Sequence, residues 1–149
     1  MTDKEKMKYV FYWFEEAKIS LDVAKSLYKS KKYAETLFFG HLTLEKILKS
    51  IVVFQTNKHA PFTHDLVSLA EKGRMPLLTD AIETLQKVNG FYLSGRYDQH
   101  KMDFRKKCTP EFTKKYFDEI KNTYIWLEKE AQTLFRSLSP QKPMDTSKH

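Results

Sequence analysis

The stretch Tyr33–Val53, YAETLFFGHLTLEKILKSIVV, decides the fold. Read as a helix, it sets Ala34, Phe38, His41, Glu45, Leu48 and Val52 on one face at alternating steps of three and four. Leu37, Leu44 and Ile51 widen that face into an apolar stripe. His41, Glu45 and Lys49 follow one another at i, i+4 and i+8 along its edge. Three ionisable groups beside so much apolar surface must find partners or reach water. Such a helix is either a core element whose polar seam meets a partner helix, or the floor of a binding site.

The flanking sequence is also helical. From Lys4 to Ser30 the residues Val10, Trp13, Phe14, Ala17, Leu21, Ala24, Leu27 and Tyr28 repeat at helical spacing, with Lys18, Asp22, Lys25 and Lys29 opposite. The short link Ser30-Lys31-Lys32 makes this helix an antiparallel neighbour of the central one. After Phe54 the pattern breaks into QTNKHAPFTHD, a polar loop. A short helix is expected over Asp65–Lys72, with the acid near its N-terminus and Gly73 as its stop. Another opens at Thr79-Asp80, with Ala81, Ile82, Leu85 and Val88 inward, and ends at Asn89-Gly90. Thr109-Pro110-Glu111 starts the last helix, which carries Phe112, Tyr116, Ile120, Tyr124 (or Thr123), Leu127, Ala131, Leu134 and Leu138. The pattern predicts an all-α, up-and-down bundle of four to five helices. One domain is expected over residues 1–138, and residues 139–149 read as a disordered polar tail.

Composition agrees. The 149 residues are 41% hydrophobic and 30% charged, with only four Gly and five Pro, a scarcity of turn-formers that favours long helices over many strands. No apolar run is long enough to span a bilayer, and the N-terminus MTDKEKMKY is charged where a signal peptide would be apolar, so a cytoplasmic protein is expected. Cys108 is the single cysteine, which excludes an internal disulfide framework. A net charge of +7 favours acidic partners such as nucleic acid or nucleotides.

Catalytic signatures are sparse. Gly90 and Gly95 stand alone, so there is neither a P-loop nor a dinucleotide fingerprint, and no cofactor is expected. His59 and His64 sit in a loop without metal-ligand spacing, and no metal is expected. The distinctive segment is Phe91–Lys107, where Arg96, His100, Lys101, Arg105, Lys106 and Lys107 interleave with Phe91, Tyr92, Tyr97 and Phe104. Aromatic faces stack on bases while cations hold phosphates, which suits a nucleotide or single-stranded RNA. The plainer reading is a linker whose aromatics plug the core and whose cations are solvated. Arg96 and His100 also raise metal-independent RNA cleavage, with the imidazole as general acid or base and the guanidinium stabilising charge on phosphate.

Several of these stretches together resemble the HEPN (higher eukaryotes and prokaryotes nucleotide-binding) domain family. GHLTLEKILKSIV is similar to the family's second helix, through His41, Glu45, Lys46, Leu48 and Lys49. His64-Asp65-Leu66 resembles its H-D-L after a Pro-containing loop, and Arg96-Tyr97 its R-Y before the last helix. The resemblance covers about residues 7 to 138. It implies a helical bundle, a homodimer, a nucleotide or RNA ligand, and a minimal nucleotidyltransferase partner in a toxin–antitoxin-like pair. Three departures matter. Leu42 stands where a Gln is common, Asp98 replaces a Pro, and only three residues separate Arg96 from His100, shorter than the R-x(4–6)-H of the family's ribonucleases. A non-catalytic ligand-binding role is therefore expected, with Arg96 on phosphate, Tyr97 stacking, and His41, Glu45, Lys49 and His64 shaping the pocket. The alternatives are a ribonuclease using Arg96 and His100, or a purely protein-binding dimer.

Overall fold

A computed structural model describes residues 1–93 and 97–137, together with the backbone of Leu138. Among them are six helices and no strand: α1 (Asp3–Lys29), α2 (Tyr33–Thr56), α3 (Leu66–Lys72), α4 (Thr79–Asn89), α5 (Asp98–Lys107) and α6 (Pro110–Leu138). None of these is long and apolar enough to cross a membrane.

α2 is the axis of the fold. Of its 24 residues 15 are buried, on every side of the helix, as expected of an element enclosed by its neighbours. Leu37, Leu44, Ile47, Leu48 and Ile51 are completely buried, and each contributes about 1.5–3 kcal/mol by leaving water. The buried hydroxyls among them are satisfied locally: Thr36 donates to the Lys32 carbonyl and Thr43 to that of Phe39, both at 2.8 Å. α1 packs along α2, α6 covers another side, and α3, α4 and α5 close the remainder. Tyr28 meets Phe117, whereas Phe11 and Phe14 meet Phe135, so α1 and α6 run antiparallel. At the α2–α6 crossing Gly40 permits close approach, since a Cβ there would lie 2.7 Å from Ile120 Cδ1.

Helix ends follow local chemistry. Thr2 and Glu5 form a reciprocal capping box at α1. Thr109 Oγ1 accepts from the Phe112 N–H at 3.1 Å, fixing the start of α6 beside Pro110. α2 runs two residues past Phe54 and stops at Thr56, where Asn57 takes a left-handed conformation (φ 58°).

Two expectations need correction. The segment Phe91–Lys107, whose plainer reading is a linker, contains α5, which raises the helix number among the described residues to six. α5 buries only Phe104 and so leaves no periodic apolar signal. Its termini are instead matched to the helix dipole, with Asp98 in the first turn and Arg105, Lys106 and Lys107 in the last. In α6 the buried stripe is Thr113, Phe117, Ile120, Tyr124, Leu127, Ala131 and Phe135, while Phe112, Tyr116 and Leu134 are only half-buried at its border. The expected tail, residues 139–149, lies outside the described residues.

Candidate functional site

The polar seam of α2 is met by two loops at His41 and Glu45 and by Trp13 of α1 at Lys49. After Asn57 the chain doubles back through Pro61 and returns His64 to the side of α2. There the His64 carbonyl accepts a hydrogen bond from His41 Nε2, and its Nδ1 donates to Glu45 Oε1, both at 2.9 Å. The second Glu45 oxygen accepts from Lys49 Nζ at 2.9 Å. Glu45 and Lys49 side chains are each 6% exposed, so this is a buried ion pair, and the histidine supplies the other bond the carboxylate needs. Lys49 Nζ also lies 5.1 Å from the centre of the Trp13 ring, a cation–π contact from α1.

The second loop, following α4, brings Tyr92. Its ring stacks on His64 at 4.0 Å and 20°, and its hydroxyl lies 2.9 Å from His64 Nε2. Phe38 and His41 flank the same tyrosine at 5.6 and 5.2 Å. The His64 side chain is 49% exposed, whereas Glu45 beneath it is buried. An aromatic pair thus stands at the surface on a buried charged footing.

Asn89 and Asp65 set the register of the two loops. The Asp65 carboxylate caps α3 by accepting from the Val67 and Ser68 N–H groups. Asn89, the last residue of α4, accepts from the Leu66 N–H at 2.8 Å and donates to Asp65 Oδ1 at 3.1 Å. His64 and Tyr92 each lie within three residues of this clasp.

Of the expected site residues, His41, Glu45, Lys49 and His64 come together. Tyr97 is 78% exposed at the N-cap of α5, where its ring meets His100 edge-on at 5.8 Å. His100 is exposed on the first turn of α5, and Arg96 lies outside the described residues. The basic-aromatic segment divides by function. Phe91 and Phe104 are core residues packed against each other, the α5 cations are exposed, and Tyr92 belongs to the site. Asn89 and Trp13 carry signals that read as a helix stop and a core position, so their polar contacts were not legible. Among the described residues no group of three His, Cys, Asp or Glu side chains is placed to hold a metal.

A family model for the HEPN domain matches residues 10–130. The chain belongs to the HEPN domain family. No curated protein and no solved structure matches it. Every member of the network, from Trp13 to Tyr92, falls within the HEPN match, and the membership supports a nucleotide- or RNA-related module.

Proposed function

We propose that this HEPN domain is a non-catalytic binding module for a nucleotide or single-stranded RNA. It acts in the cytoplasm as a homodimer beside a minimal nucleotidyltransferase, in a toxin–antitoxin-like pair. The observation that carries the ligand is the half-exposed His64–Tyr92 stack on the buried Glu45–Lys49 pair. A π-face held rigid in advance suits a base, because little side-chain entropy is lost on contact. Glu45 and Lys49 serve as positioning residues, since each is turned toward the other beneath the surface. Phosphate recognition falls to Arg96 by sequence and to Lys87 and Lys107, which line one groove with Phe91, Phe112, His100 and Asp103. Tyr97 offers a second exposed ring. The dimer and the nucleotidyltransferase rest on the family resemblance.

The experiment is incubation of the intact protein with mixed-sequence RNA in EDTA, beside a His100→Ala variant. Retention of uncut RNA by both proteins supports the reading. Cleavage by wild type and not by the variant would make this a ribonuclease and overturn the non-catalytic assignment.

A further inference from the structure

A second aromatic surface lies on the far side of the buried pair. Tyr9, Tyr12 and Trp13 occur at i, i+3 and i+4 and so share one face of α1. The loop after α2 lies against them: His59 meets Tyr9 edge-on at 4.5 Å and 73°. Tyr12 meets Trp13 at 5.1 Å and 74°. With Lys8 and Ala60 these rings line a groove of about 310 Å³, at the lower end of the range for small-molecule sites. Single exposed aromatics are ordinary on a protein surface. Four rings around one groove, with Tyr12 54% exposed, form a concave stacking surface.

The charge of the lining selects the guest. Aromatic clusters recognise either cationic groups or flat rings. Lys8 borders this groove, and among the described residues no carboxylate lines it, so a cationic guest would be repelled. A flat ring carrying a negative group gains on both counts. We infer that the Tyr9, Tyr12, Trp13 and His59 groove is a second base-stacking site for single-stranded RNA, with Lys8 holding the adjoining phosphate. The inference rests on the RNA-binding reading above and adds to it a face of the molecule distinct from the His64–Tyr92 stack. The two faces are joined through the interior, because Trp13 contacts Lys49, Lys49 pairs with Glu45, and Glu45 holds His64.

The test is fluorescence anisotropy of the full chain with a labelled, mixed-sequence 15-nucleotide RNA. Wild type is compared with Tyr12→Ala, Tyr12→Phe, Lys8→Glu and Tyr92→Ala. Losing one stacked base weakens binding by about tenfold or more. Tyr12→Ala and Lys8→Glu should therefore each bind markedly more weakly, and Tyr12→Phe close to wild type, with unchanged circular dichroism. If wild type binds RNA and Tyr92→Ala weakens it while Tyr12→Ala and Lys8→Glu do not, this second site is refuted and the first reading stands. If wild type binds no RNA, the second site is refuted and the first reading is left with a mononucleotide ligand. A Tyr12→Ala variant that changes sedimentation mass but not RNA affinity would make the groove a protein contact and overturn the assignment.

Discussion

The Glu45 carboxylate and the Lys49 ammonium meet at 2.9 Å with 6% of each side chain exposed, one turn apart on the most buried helix of the protein. Removing one partner strands the other charge, which costs about 3–5 kcal/mol. Glu45→Ala is expected to lose that much, and to release His64 as well. Replacing both residues by apolar ones, as in Glu45→Leu with Lys49→Met, should cost less than the two single changes together. Urea unfolding of the four proteins in a double-mutant cycle measures the coupling. Strict additivity would mean the pair is not coupled.

Asn89 is expected to behave as a structural clasp. Asn89→Ala removes the acceptor of the Leu66 N–H and the donor to Asp65, at a cost of about 1–3 kcal/mol. Asn89→Asp keeps the acceptor but sets a carboxylate against Asp65 Oδ1. It should therefore destabilise as well, and urea denaturation of both variants beside wild type at pH 7 measures the two costs.

Gly73 ends α3 with φ −80°, a conformation open to any residue, so backbone freedom is not why glycine is there. A Cβ would lie 3.0 Å from Ile51 Cγ2 and 3.3 Å from the Leu69 carbonyl. Gly73→Ala should accordingly destabilise by about 1–3 kcal/mol through overpacking, against the gain of under ~1 kcal/mol such changes give at open sites. Thermal unfolding decides the sign.

Arg105 on α5 forms a two-pronged contact with Glu35 on α2, at 2.6 and 3.2 Å. The guanidinium's hydrogen bond holds the Glu35 carboxyl below its ordinary 4.5. A depressed carboxylate contributes stability that is present above pH 4.5 and is lost as pH falls through the lowered value. Arg105 is 63% exposed, so solvent screening limits the pair to under about 1 kcal/mol. The stability difference between wild type and Arg105→Ala should be small at pH 7 and vanish near pH 2. Persistence in strong acid would show that the arginine acts through packing alone.

Much of the fold was legible because α1, α2 and α6 bury long periodic stripes, and periodicity survives in a single sequence. α5 was not legible, since one buried phenylalanine makes no pattern and its stability comes from end charges and tertiary contact. In α6 the residues Phe112 and Tyr116 drew the expected stripe one position away from Thr113 and Phe117, as aromatics beside a core look like core. At the site, His41, Glu45 and Lys49 were visible through their i, i+4 spacing, and His64 through the family's H-D-L. Tyr92 stood in the segment singled out for aromatics and cations, but nothing local distinguishes it from Tyr97. The clasp between Asn89 and Asp65, 24 residues apart, and the flanking rings of Phe38 and His41 set it over His64.

The central assignment is that the His64–Tyr92 stack contacts the ligand, and it is tested most directly by binding. Intact wild type, His64→Ala and Tyr92→Ala would be titrated with labelled single-stranded RNA and with a panel of mononucleotides, in EDTA at fixed salt. Wild type should bind at least one of these ligands. Both variants should stay folded and bind it about tenfold more weakly or worse, with Tyr92→Ala unfolding within a few degrees of wild type and His64→Ala lower, because Glu45 loses a partner. Equal affinity for all three folded proteins, or no binding by wild type to any ligand, would contradict the assignment.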